Sequence, residues 1–169
     1  MSDSLMPIDA ALAHNSEYVA GHGVRHLSTE PAKRLAVVTC MDSRLDLFGA
    51  LGLDLGEAHI IRNAGGLATD DVIRSLVLSQ RMLGTERVML IQHTYCGLHG
   101  LDEDGLRARI TDDIGEESNM TFGSFDDLSE NLRRTADRLS AEPALSQVEL
   151  RAFVFDVDTG ELDEVFLER

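Results

Sequence analysis

Leu35-Ala36-Val37-Val38-Thr39-Cys40-Met41-Asp42-Ser43-Arg44 begins as an apolar run and turns abruptly into thiol, carboxylate, hydroxyl and guanidinium. A second stretch repeats the plan, with Val88-Met89-Leu90-Ile91-Gln92 leading into His93-Thr94-Tyr95-Cys96-Gly97. Short continuous apolar runs bounded by polar residues read as strands buried on both faces, the pattern of a parallel sheet. Leu35–Thr39 and Val88–Gln92 are therefore expected as strands, with the reactive side chains on the loops that leave their carboxyl ends. Ala58–Ile61 reads as a further short strand, and Arg62-Asn63-Ala64-Gly65-Gly66 as the turn after it. Leu45–Leu51 reads as a short helix ending at Gly52. Asp70–Leu83 reads as a longer one, N-capped by Thr69, with Asp70 and Asp71 favouring the helix dipole and Gly84 as the stop. Strand, helix and strand at this spacing predict right-handed crossovers feeding a parallel sheet.

Outside this unit, Ile8, Ala11, Leu12, Asn15 and Val19 recur near helical spacing before Gly21-His22-Gly23, which predicts a leading helix apart from the α/β pattern. Beyond Gly97 the chain becomes more polar. Asp102–Ile114 and Phe125–Ser140 read as amphipathic helices, the second stopped by Pro143. Leu150–Val157 and Leu162–Leu167, joined through Asp158-Thr159-Gly160, read as a hairpin or edge strand. The expected fold is α/β: a mostly parallel central sheet flanked by helices, with a protruding N-terminal helix and an antiparallel edge at the C-terminus. With 169 residues and no linker-like tract, residues 1–169 read as a single domain.

A net charge of −15 argues against nucleic acid or an anionic membrane surface as partner, since both demand concentrated Lys and Arg. Lys33 is the only lysine. No apolar run approaches the roughly 20 residues that cross a bilayer, and Asp3 and Asp9 stand where a signal peptide would be basic, so a cytoplasmic location is expected. In a reducing compartment the two cysteines, each inside a ligand-rich motif, read as metal ligands rather than as a disulfide.

Parallel strands deliver their following loops to one edge of the sheet, so Cys40 and the His93–Cys96 pair can meet in space despite their separation in sequence. Two thiolates and one imidazole suit Zn²⁺ and leave one tetrahedral position open, which distinguishes a catalytic site from a structural one. A water on such an ion ionises near pH 7, at roughly neutral conditions. Asp42 could accept that water's proton and orient it, or itself fill the fourth position and close the site. Arg44 is placed to hold the Asp42 carboxylate. His14, His22, His26, His59 and His99 read as surface residues rather than proton shuttles.

Cys40-x-Asp42-x-Arg44, Arg62-Asn63-Ala64-Gly65 and His93-x-x-Cys96-Gly97 resemble, in order and separation, the signature of the β-class carbonic anhydrases. The likeness covers Leu35–Gly97 closely and Phe153–Phe155 more loosely. It implies reversible, zinc-dependent hydration of CO₂ to bicarbonate, Cys40, His93 and Cys96 as zinc ligands, and Asp42 with Arg44 as the catalytic dyad. It also implies substrate contacts at Gly65 and Gly97 and a homodimer or homotetramer whose N-terminal helix reaches across the dimer. Trp is absent, so an inhibitory bicarbonate pocket of the Trp-dependent kind is excluded. Carbonyl sulfide hydrolysis on the same zinc site, and a non-catalytic zinc protein, are the alternatives.

Overall fold

The computed structural model describes residues 7–22, 26–146 and 149–167. Five strands form one sheet: β1 Leu35–Cys40, β2 Ala58–Asn63, β3 Arg87–His93, β4 Glu149–Phe155 and β5 Leu162–Val165. Their spatial order is β2-β1-β3-β4-β5. The first four are mutually parallel, and β5 runs antiparallel to β4, pairing Leu162 with Phe155. The helices are α1 Pro7–His22, α2 Leu47–Leu51, α3 Asp70–Arg81, α4 Glu103–Ile114 and α5 Leu128–Ser140. The expected α/β architecture, with its leading helix and antiparallel C-terminal edge, is the one observed.

β1 lies at the interior of the sheet, and every residue from Ala36 to Cys40 is buried, which is why its sequence is continuously apolar rather than alternating. Ala36 and Val38 point to one face, where Val72 and Leu76 of α3 and Leu132, Ala136 and Leu139 of α5 cover them together with Val88, Leu90 and Ala152. Complete burial of Leu76, Leu90 and Leu132 contributes roughly 1.5–3 kcal/mol each. Val37, Ile91, Phe153 and Phe155 point to the opposite face, covered by Leu45 and Leu47 and by Leu98 and Phe125 from the segment after β3. Cys40 and Cys96 belong to this second cluster.

Helix starts follow side-chain caps. Thr69 accepts from the Val72 N–H as expected, and Asp46, Asp102 and Asp127 do the same for α2, α4 and α5. The Asp127 cap moves the start of α5 beyond the expected Phe125, whose main chain instead bonds to Leu98 and Gly100. α3 stops at Arg81, two residues short of Leu83. α5 also buries polar residues: Asn131 Nδ2 donates to Gln92 Oε1 at 3.0 Å, and the Thr135 hydroxyl donates to the Asn131 carbonyl at 2.8 Å. This network ties α5 to β3 one residue before His93. α4, expected to be amphipathic, buries no residue.

Glu103 in α4 holds the segment that returns toward α5. Its carboxylate accepts from the Ser124 N–H at 2.7 Å, the Phe122 N–H at 3.3 Å and Arg107 at 3.0 Å. The two main-chain donors lead in pulling its pKa down from 4.5 to about 2. A carboxyl depressed on folding contributes stability above its unfolded pKa and loses that contribution as pH falls through the folded value. Glu103→Gln should therefore melt below the parent at pH 7, with the gap shrinking between about pH 4.5 and pH 2. A gap that stays constant in thermal melts across that range would remove Glu103 from this role.

Candidate metal centre

β1 and β3 are adjacent and in register, with Val38 opposite Leu90, so both strands release their chains at the same edge. Cys40 is the last residue of β1 and His93 the last of β3, and the loop from His93 returns Cys96 beside them. The two sulfurs and the nearer imidazole nitrogen all lie within 4.8 Å of one another. Around a tetrahedral ion with bonds of about 2.0–2.3 Å, such atoms stand roughly 3.3–3.8 Å apart, so the set needs little movement to share a metal.

The imidazole is prepared for that role. Its Nδ1 donates to the Thr94 carbonyl at 2.8 Å, which leaves the Nε2 lone pair free. Nε2 is buried and has no hydrogen-bond partner among the described residues, in a residue only 1% exposed. A buried polar atom without a partner costs about 1–3 kcal/mol, and a metal ion at the sulfurs would satisfy it. Soft sulfur with one imidazole is the donor set of zinc.

The thiols are unequal. The Cys96 thiol, ahead of the adjoining His93 ring and the main-chain N–H groups of Asp42 and Gly65, holds Cys40 as a thiolate far below the ordinary thiol range. As the donor in that pair, and buried, Cys96 is pushed up. Burial disfavours the His93 cation, but the neighbouring Cys40 sulfur and the Thr94 carbonyl outweigh it and leave its pKa raised.

Asp42 and Arg44 sit beside this set. Arg44 Nε donates to Asp42 Oδ1 at 2.9 Å and Nη2 to Oδ2 at 2.7 Å, while the Arg44 main-chain N–H donates to Oδ1 at 2.9 Å. These bonds, the side-chain pair first, hold the Asp42 carboxyl far below the usual carboxylate range. Oδ2 lies 3.8 Å from His93 Nε2, so an ionised carboxylate borders the three donor atoms. Arg44 Nη2 also donates to the Tyr95 carbonyl at 2.9 Å, joining the two loops. Tyr95 takes a left-handed backbone, φ 54°, to present that carbonyl, an arrangement its side chain does not signal in sequence.

A profile of the carbonic anhydrase family matches residues 35–162. β-Carbonic anhydrase 1 of Mycobacterium tuberculosis is 44% identical over 158 residues, covering 93% of this chain and 96% of that protein. The chain belongs to the β-carbonic anhydrase family. The crystal structure of the Streptococcus mutans carbonic anhydrase superposes with a TM-score of 0.91 at 39% identity, covering 96% of this chain and 99% of that one. A carbon disulfide hydrolase of Acidithiobacillus thiooxidans is 32% identical, over 82% of this chain and 80% of its own.

The glycines near the site differ in their surroundings. The Gly65 N–H donates to Cys40 Sγ at 3.3 Å. Gly97 is exposed, with nothing near the place a Cβ would take. Gly66, at φ +61°, brings its backbone so close to β1 that a Cβ would stand 3.0 Å from the Cys40 nitrogen and the Thr39 carbonyl carbon. Those are main-chain atoms and cannot rotate away. Gly66→Ala should therefore cost roughly 2–4 kcal/mol in denaturant melts, from the left-handed conformation plus overpacking. Gly52→Ala, equally left-handed but in open space, should cost roughly 1–2 kcal/mol. Equal costs would mean that the close approach contributes nothing.

His59, expected at the surface, is half-buried: its Nδ1 lies 2.7 Å from Ser79 Oγ and its Nε2 3.2 Å from the Thr29 carbonyl, a clip between β2, α3 and the segment before β1. His99 is exposed, with its ring stacked on Phe125.

Proposed function

We propose that this chain catalyses the reversible hydration of CO₂ to bicarbonate and a proton at a Zn²⁺ ion held by Cys40, His93 and Cys96. The observation that carries this reading is the convergence of two sulfurs and one unpartnered, buried imidazole nitrogen next to an ionised carboxylate that Arg44 holds on both oxygens. When bound, zinc supplies Lewis acidity and a water that ionises near pH 7, at about the pH of the cell.

The chain's own groups do the rest. Cys40 as a thiolate and His93, with its tautomer fixed by Thr94, offer electron pairs at two points, and Cys96 becomes the third on losing its proton. Asp42 accepts a hydrogen bond from the oxygen nucleophile and so turns a lone pair toward CO₂. Arg44 neutralises Asp42 and holds both of its oxygens. Leu98 and Phe125, packed with the two cysteines, give the site an apolar wall suited to an uncharged linear gas.

Stopped-flow hydration of CO₂ with a pH indicator, on protein holding one zinc per chain, tests the reading. Turnover above buffer between pH 7 and 9 is expected, and none would overturn it. A saturated four-ligand zinc shell at every pH would favour a non-catalytic zinc protein instead. Similarity to the carbon disulfide hydrolase supports a second reading, hydrolysis of carbonyl sulfide or carbon disulfide on the same residues. Comparing kcat/KM for the three substrates decides between them.

The active form is proposed to be a homodimer or homotetramer. Although 16 residues long, α1 has no buried residue against the described part of its own chain and presents Ile8 at 75% and Val19 at 63% exposure. A helix of that length without a packed face is marginal in water, so a second copy of the chain is the natural cover. Two Sordaria macrospora β-carbonic anhydrases of this fold, at 16% identity and TM-score 0.70, are tetrameric. Light scattering should give a dimer or larger at micromolar concentration. A monomer would refute the assignment. No helix among the described residues is long and apolar enough to cross a membrane, and a cytoplasmic location remains part of the proposal.

A further inference from the structure

Arg62 stands next to the last residue of β2, opposite Thr39, and reaches over the end of β1. Its Nε donates to the Cys40 carbonyl at 2.8 Å and its Nη2 to the Asp42 carbonyl at 2.6 Å. Nη1 reaches the Leu45 carbonyl at 3.4 Å. All three guanidinium nitrogens thus go to main-chain oxygens of one loop, and among the described residues none goes to a carboxylate. An arginine used this way is a rigid fork, and the loop it grips begins at a metal-binding residue and carries the dyad.

The remaining bonds of the loop make the grip consequential. The Met41 N–H donates to the Asn63 carbonyl at 2.8 Å, so β2 holds the loop from both its last two residues. The Asp42 carbonyl accepts from Arg62 and from the Leu45 N–H at 3.2 Å. With its carbonyl pinned on two sides, the Asp42 peptide cannot rotate. Its side chain is consequently aimed at the Arg44 N–H and guanidinium, with Oδ2 held 3.8 Å from His93 Nε2. The Asp42–Arg44 pair is bidentate, but the Arg44 side chain is 47% exposed and open to screening, whereas a carboxylate gains far more from a divalent cation beside it. Something beyond the pair must keep Asp42 on Arg44.

We propose that Arg62 is the positioning residue that keeps the Asp42 carboxylate on Arg44 and off the metal site, by fixing the main chain of the Cys40–Leu45 loop. It touches neither substrate nor metal and acts through Asp42. This rests on Cys40, His93 and Cys96 being the metal site. Without Arg62, the loop relaxes and Asp42 becomes free to join those three donors and close the site.

The test uses full-length Arg62→Ala loaded with cobalt in place of zinc, and thiocyanate as a probe of the open coordination position, read by visible absorption. One metal per chain should remain, because the donor atoms are untouched. Hydration by the zinc form should fall roughly 100-fold in kcat, the scale of a misplacement near 1 Å. Thiocyanate should bind the cobalt form at least tenfold more weakly, and adding Asp42→Asn to Arg62→Ala should restore that binding although turnover stays lost. A purely structural role of Arg62 would not yield that restoration. Parental kcat and thiocyanate affinity in Arg62→Ala, or a lost affinity that Asp42→Asn does not restore, would overturn the proposal. If Arg62→Ala does not fold, Arg62→Gln carries the same test with the same overturning results. A parent protein that binds no metal would defeat the metal-site reading itself, whereas an active parent with indifferent variants defeats only the role of Arg62.

Discussion

Asp42→Asn is expected to lower CO₂ hydration by roughly 10²–10⁴-fold while the protein keeps its zinc, the loss typical of removing a positioned acid–base group. The amide matches the carboxylate in shape, so packing gives no reason for the site to collapse. It differs in charge and in having only one acceptor oxygen. Arg44 Nε and Nη2 now donate to the two separate oxygens, and with asparagine one of them would face an NH₂ donor. The oxygen nucleophile would likewise lose its acceptor or meet a donor. Stability should change by no more than about 1 kcal/mol, because the Arg44 side chain is 47% exposed and solvent screens the pair. Zinc content, a thermal melt and stopped-flow hydration on the same preparation separate these effects. A variant with unchanged kcat would remove Asp42 from the chemistry, and one without zinc would make it part of the metal shell.

Much of this arrangement is legible in the sequence because burial on both faces leaves so plain a mark. Leu35–Val38 and Val88–Ile91 can hardly be read otherwise than as interior strands, and the topology of parallel strands then brings Cys40, His93 and Cys96 to one edge. What is less legible depends on neighbours. Arg62 and Asn63 look like turn residues, yet they continue β2 because Thr39 and Cys40 pair with them, and pairing is a property of two segments rather than one. Arg62 also shows why a charged residue beside a reactive motif resists assignment. Its partners are carbonyls, which every residue has, so no complementary side chain betrays it. Asn131 and Thr135 are polar residues of an amphipathic helix but are buried, Asn131 bonded to Gln92 and Arg134, and Thr135 to the Asn131 carbonyl. The polar groups that sequence patterning misplaces are those whose hydrogen bonds are closed inside the protein.

Cys40→Ser should eliminate zinc binding and, with it, all measurable hydration. Serine keeps the size of the side chain and can still accept from the Gly65 N–H, which now donates to Cys40 Sγ at 3.3 Å. What it cannot do is ionise: the thiolate, which the site stabilises at Cys40 through Cys96 and two main-chain N–H groups, is the ligand form, and a hydroxyl stays protonated. The consequence extends to stability through mass action. An ion that binds only the folded chain adds about 4 kcal/mol at a free concentration 1,000 times its Kd. For a domain of this size that raises Tm by roughly 8–16 °C. Parent protein should therefore melt well above its chelator-treated form, whereas Cys40→Ser should melt at one temperature with or without zinc. That temperature should lie near the parent's metal-free value, since both leave His93 Nε2 buried without a partner and pay for it alike. A zinc-dependent rise in Tm for Cys40→Ser comparable to the parent's would mean that Cys40 is not a ligand and that the metal is held elsewhere.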